Sequence, residues 1–113
     1  VVIGGGLTLL KVSTLLDEIP MKGSSVAAQE VLVAALRSPA YQLGINAGVS
    51  PEGLVEQLLM QVGSMGFNAK TRQFADLRAE GVLDAASVVK SSLRAAVSIA
   101  SMVILTEVLV ADL

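Results

Sequence analysis

The segment from Ala85 to about Thr106 constrains this chain most. Wound as a helix, it confines its polar residues to one narrow stripe, Lys90, Arg94, Ser98 and Ser101, and is apolar almost everywhere else. A helix apolar nearly all round is buried in a core or crosses a membrane. Crossing takes about twenty apolar residues. The run from Ala95 to Leu105 is eleven residues, broken by Ser98 and Ser101, with Arg94 before it and Glu107 close behind. The segment therefore predicts a central core helix. Asp84 is placed to cap it, and helices over 7–19 and 26–47 are expected to flank it.

The rest of the chain is consistent with a helical core. Hydrophobic residues make up 53% of the 113 residues and charged residues 16%, which excludes a disordered tail. The length is that of one domain or part of one. Without cysteine or histidine there is no disulfide scaffold, thiol nucleophile or histidine triad, and a zinc site is disfavoured. A net charge of -2 offers no field for a nucleic-acid backbone. Aromatic residues, at 3%, are too few to stack bases. The start inside an apolar run, Val1-Val2-Ile3, and a mean hydropathy of +0.71 lead us to expect a piece of a larger fold.

The punctuation divides the chain. Val1–Ile3 reads as a strand, and Gly4-Gly5-Gly6 as a tight turn into a helix over 7–19. Its buried face is expected at Leu9, Val12, Leu16 and Ile19, and Pro20 stops it. After a linker over 21–25, Ser24 or Ser25 caps a helix over 26–47, which Pro39 should kink or break and Gly48 should end. Ser50-Pro51-Glu52 opens another helix with a stripe of Leu54, Leu58 and Val62. Phe67 to Phe74 reads as a short hairpin or loop, and 75–80 as a helical turn ended by Gly81. Val108-Leu109-Val110 reads as a short edge strand. The fold class is all-α, with minor strands at the chain ends.

Two groups of residues could bind a ligand. The glycine run lets backbone N–H groups approach an anion at a helix start, although it is equally a tight turn with close packing. Asn68-Ala69-Lys70-Thr71, with Gly81-Val82-Leu83-Asp84, forms the second group. An Asn amide both donates and accepts, which suits a purine edge, and an aspartate can accept from ribose hydroxyls. The plainer readings are a turn residue for Asn68 and a helix cap for Asp84.

The ordered set Val-Val-Ile-Gly-Gly-Gly (1–6), Ala-Leu-Arg-Ser-Pro (35–39), Asn-Ala-Gly (46–48), Gly-Phe-Asn-Ala-Lys-Thr (66–71), Gly-Val-Leu-Asp (81–84) and Thr-Glu-Val-Leu-Val-Ala-Asp-Leu (106–113) resembles the group I chaperonins, the 60 kDa GroEL-like proteins. The resemblance runs the length of the chain and matches the C-terminal part of their equatorial domain. It implies an ATP-driven folding machine of stacked heptameric rings, with ATP and Mg²⁺ as its nucleotide and metal. In the family the positions of Gly5, Asn68, Ala69, Lys70, Val82 and Asp84 surround the base and ribose. The implied partners are identical subunits, unfolded client proteins and a 10 kDa co-chaperonin, with neither nucleic acid nor membrane. The implied compartment is bacterial cytoplasm or an organelle matrix or stroma.

The chain departs from the family pattern at three places. Lys70 stands where a small residue is usual, Asp84-Ala85 replaces Asp-Pro, and the stretch from Gln61 to Gly66 is short. The family's phosphate loop, Gly-Asp-Gly-Thr-Thr, is not among these residues. Asp17, Asp76, Asp84 and Asp112 have no motif partner to replace its aspartates. The resemblance thus implies an ATPase parent and a segment that does not itself hydrolyse ATP. It also implies that apical, intermediate and N-terminal equatorial parts lie elsewhere, and that the segment alone self-associates through apolar faces. The competing reading is a free-standing helical interaction module without nucleotide.

Overall fold

The computed structural model describes residues 1–23 and 25–111. They form two compact units, residues 2–83 and the chain from Asp84 onward together with Val1. The first unit contains β1 (Val2–Ile3), α1 (Leu7–Asp17), α2 (Ser25–Ala47), α3 (Pro51–Met60), β2 (Met65–Asn68) and β3 (Gln73–Asp76). Next come β4 (Leu83–Asp84), at the boundary, and α4 (Ala86–Ala111). Helices dominate and the strands are short, as the all-α expectation required.

The glycine turn sets how α1 meets α2. Gly5 and Gly6 have φ of 66° and 73°, a left-handed backbone that other residues enter only at a cost. A Cβ on Gly6 would lie 2.9 Å from the Ala40 nitrogen and 3.0 Å from its Cα. The two helices therefore touch backbone to backbone there. This contact turns Leu7, Leu10 and Ser13 inward. The expected face of Leu9, Val12, Leu16 and Ile19 is thus corrected, with Val12 and Ile19 exposed. The Ser13 hydroxyl donates to the Leu10 carbonyl and accepts from Arg37 Nε of α2 at 3.0 Å. Gln29 Nε2 donates to the carbonyls of Leu16 and Ile19, occupying acceptors that a helix end leaves open. α1 stops at Asp17, before Pro20.

α2 runs unbroken through Pro39, which corrects the expected kink or break. Pro39 lies on the exposed side, while Val33, Leu36, Ala40 and Gly44 are buried on the other. Packing of that face against α1 and α3 carries the helix past the missing N–H. Ser25 begins the helix; the alternative cap, Ser24, lies outside the described residues. Gly48, with φ of 75°, closes α2. α3 starts as the Ser-Pro-Glu signal predicts, with the Ser50 side chain accepting from the Gly53 N–H. Leu54 and Leu58 enter the core, but Val62 lies beyond the helix and is exposed. The core comprises Leu7, Leu10, Ala40, Leu54, Leu58, Phe67 and Leu77.

β2 and β3 form the expected hairpin, antiparallel, with Phe67 opposite Phe74 and Asn68 opposite Gln73. The two rings meet edge to face at 5.7 Å. Ala75 and Asp76 belong to β3 rather than to the expected helical turn; only the residues after them turn back, toward Gly81. Asp76 holds that turn. Its Oδ1 accepts the Ser64 hydroxyl and the N–H groups of Arg78 and Ala79, and these bonds hold its carboxyl below the usual range, the Ser64 bond most. β1 runs beside the chain at Val82, where the Gly4 N–H donates to the Val82 carbonyl at 2.9 Å.

The second unit corrects the central-helix expectation. Most of the described apolar side chains of α4, among them Val97, Ile99, Leu105 and Leu109, are exposed, while Ala86 and Val89 are half-buried. The buried cluster is drawn from residues 7–77. A helix apolar on every side has no single face to direct it into such a core. At 26 residues it exceeds the eleven-residue run, and its stretch Ala86–Val103 is long and apolar enough, by length and composition, to cross a membrane. Lys90 and Arg94 fall inside that stretch. The helix continues through Val108-Leu109-Val110 to Ala111, so the edge strand expected there is absent. The intrahelical ladder, one bond per residue, outweighs the β preference of three residues. Asp84 is not its cap: the N–H groups of Val88 and Val89 both reach the Ala85 carbonyl. Asp112 lies outside the described residues.

Candidate functional site

Gly5, Asn68, Ala69 and Val82 all belong to the first unit, and Gly5 lies against Val82 and the carbonyl of Phe67, the residue before Asn68. A Cβ on Gly5 would lie 3.5 Å from the Phe67 carbonyl, 3.2 Å from Leu77 Cδ1 and 4.0 Å from Val82 Cγ1. Gly5 is therefore wedged between the strand that leads into Asn68 and the side chain of Val82. Ala69 and Val82 are half-buried and pack on the core. Asp84 belongs to the second unit, in β4, and is exposed.

Asn68 takes up the plainer of its two sequence readings. Its Oδ1 accepts from the N–H of Lys70 at 3.0 Å and of Thr71 at 3.4 Å. This Asx turn reverses the chain between β2 and β3, with Arg72 at φ 59° completing it. The amide nitrogen faces Glu80, 3.4 Å from each carboxylate oxygen. Lys70 is exposed at the tip of the turn. A Cβ at Gly5 would crowd Leu77. Glu80 was not singled out by sequence, since an acidic residue before a turn glycine carries no signal of its own.

A separate groove of about 520 Å³ opens between α2 and α3, lined by Ala34, Val55 and Leu59 with Arg37, Tyr41 and Glu52 at its rim. The Tyr41 hydroxyl donates to Glu52 Oε1 at 2.7 Å. That bond raises the tyrosine pKa and lowers that of the glutamate. None of the expected nucleotide residues lines this groove.

The comparisons with known proteins agree in kind. The family model for the TCP-1/cpn60 chaperonin family matches residues 1–112. Chaperonin GroEL 1 of the cyanobacterium Prochlorococcus marinus is 40% identical over 114 residues, covering 99% of this chain and 20% of that protein. The chain thus spans about a fifth of the length of this curated relative. A match over essentially its whole length, by family model and by identity alike, means that this chain belongs to the TCP-1/cpn60 chaperonin family, as a segment of the group I, GroEL-like type.

Proposed function

We propose that this segment is the C-terminal part of a chaperonin equatorial domain, and that it supplies the base and ribose side of an ATP pocket in an ATP-dependent protein-folding chaperone. The observation that carries the reading is the packing of left-handed Gly5 between the Phe67 carbonyl and Val82. It joins residues far apart in sequence at the positions that the family resemblance assigns to nucleotide. Val82 and Ala69 would pack on the base, the Gly5 turn would let the nucleotide approach the backbone, and Asn68 would fix the turn that presents Ala69 and Lys70. Asp84 would meet the ribose. ATP with Mg²⁺ supplies the phosphoryl chemistry, for which this chain has no Gly-Asp-Gly-Thr-Thr loop. The chain's own share is to hold and orient the base, and by itself it should not hydrolyse ATP.

On the same reading the intact protein works as a ring of identical subunits on unfolded clients, with a 10 kDa co-chaperonin, in bacterial cytoplasm or an organelle matrix. The exposed apolar surface of α4 and the α2–α3 groove would then serve ring assembly and domain closure. They equally support the second reading, a helical interaction module without nucleotide. Titration of the chain with ATP, followed by amide NMR, separates the two. Millimolar ATP should shift the Gly5, Asn68, Ala69 and Val82 resonances together, with weak affinity because most phosphate partners are elsewhere. Submicromolar binding, or shifts confined to the α2–α3 groove, would overturn the proposal.

A further inference from the structure

We propose that the groove between α2 and α3 receives α4 of a second copy of this chain, so that two copies pair by each lending the other its last helix. The groove has an apolar floor of Ala34, Val55 and Leu59 and two unlike edges. Its α3 edge carries Glu52 and Glu56, both exposed and one helical turn apart, while its α2 edge carries Arg37 and Tyr41. Arg37 turns its Nε to Ser13, and Glu52 takes the Tyr41 hydroxyl on one oxygen and keeps the other. The α3 edge is thus a line of negative charge beside an apolar trough. α4 carries the reverse pattern. Lys90 and Arg94 are exposed, again one turn apart, and Leu93 and Val97 form an exposed apolar strip beside them. Lys90 and Arg94 are the only two basic residues of the sequence at this spacing, and Glu52 and Glu56 the only two acidic ones at this spacing within a helix. A helix laid with Leu93 and Val97 on Val55 and Leu59 brings its basic pair to the acidic edge and away from Arg37, the way an amphipathic helix seats in a groove. Leu59 and Val97 are both exposed in the single chain, and every chain carries both surfaces. Two copies therefore satisfy the match twice, about a two-fold axis. The pairing does not depend on nucleotide binding.

The test is a charge exchange on the full chain, read by sedimentation equilibrium. Wild type should dimerise at tens of micromolar, and less tightly as salt screens the partly exposed charges. One variant reverses the groove edge (Glu52→Lys with Glu56→Lys), the other the helix (Lys90→Glu with Arg94→Glu). Each alone sets like charges together in both grooves and should lose affinity by about a hundredfold. Mixed in equal amounts, the two variants set opposite charges together in both grooves, and a heterodimer of near wild-type affinity should form. Circular dichroism checks that both fold. Because the chain has no cysteine, chains carrying Leu59→Cys and Val97→Cys also report position without interference. Mixed and oxidised, they should form the heterodisulfide in preference to either homodisulfide, and this result decides the matter if a charge variant unfolds. A wild-type chain that stays monomeric at hundreds of micromolar overturns the proposal. Charge variants that self-associate as tightly as wild type, a mixture that fails to pair, or no excess of the heterodisulfide overturns it equally, the first of these marking association through unspecific apolar contact.

Discussion

Replacing Gly6 by alanine tests the backbone-to-backbone contact on which the first unit is built. The substitution carries two separable costs. The left-handed φ of 73° costs a residue with a Cβ about 1–2 kcal/mol. The new methyl would also lie 2.9 Å from the Ala40 nitrogen and 3.0 Å from its Cα. These are α2 main-chain atoms and cannot swing aside as a side chain does, so the helices must part, at about 1–3 kcal/mol for overpacking. The sum, about 2–5 kcal/mol, is a large share of what a unit this size has, and should lower Tm by roughly 10 °C or more. Gly23→Ala is the control. Gly23 has φ of 64°, and a methyl added to it would meet nothing within 4 Å, so it carries the conformational cost alone. Urea unfolding of both variants, followed by circular dichroism, isolates the steric part as their difference. A Gly6→Ala variant within about 0.5 kcal/mol of Gly23→Ala, less than either cost above, would refute the close approach of α1 and α2.

Other consequences can be measured directly. The chain has one tyrosine and no tryptophan, so ultraviolet titration reads Tyr41 alone; its pKa should lie above the ordinary value and fall back toward it in Glu52→Gln. The Asp76 carboxyl titrates below its unfolded value, so its contribution is present above the unfolded pKa and is lost as pH falls through the folded one. Acid should therefore lower the hydrogen-exchange protection factors of the Arg78 and Ala79 amides, measured against the intrinsic rate at each pH, and Ser64→Ala should move that onset to higher pH. Pro39→Ala restores a helical N–H at an exposed site and should stabilise the protein by about 1–3 kcal/mol in thermal unfolding.

Local chemistry made several elements legible in the sequence. Ser50-Pro51-Glu52 specifies a helix start through groups within three residues of one another, and the glycine turn and the Phe67–Phe74 hairpin are equally local. What the sequence left open depended on partners. The spacing of α1 allowed two apolar faces, and the approach of Gly6 to Ala40 chose the one with Leu7 and Leu10. Pro39 marked a break by its own chemistry, yet the buried face of α2 carried the helix past it. α4 has no face distinct enough to state where it belongs. At the candidate site, Gly5 and Val82 were legible because a family pattern joined them. Glu80 was not, because its contact with Asn68 exists only once the hairpin and the turn after it have formed.

The bond from Arg37 to Ser13 has a consequence for how α1 finds its place on α2. Leucine-rich helices can slide past each other by a turn, about 5.4 Å, with little change in the apolar area they cover. Such a slide would bring either Leu9 or Asp17 to the position of Ser13. With Leu9 there, the guanidinium loses its acceptor inside a partly buried contact, which costs more than the bond itself contributes. With Asp17 there, Lys11 and Thr14 move to where Leu7 and Leu10 are now buried. The Ser13 hydroxyl thus rejects the first of these registers and the burial of Lys11 and Thr14 rejects the second, so the hydroxyl has an indexing role that an alanine would not fill even where it packed as well.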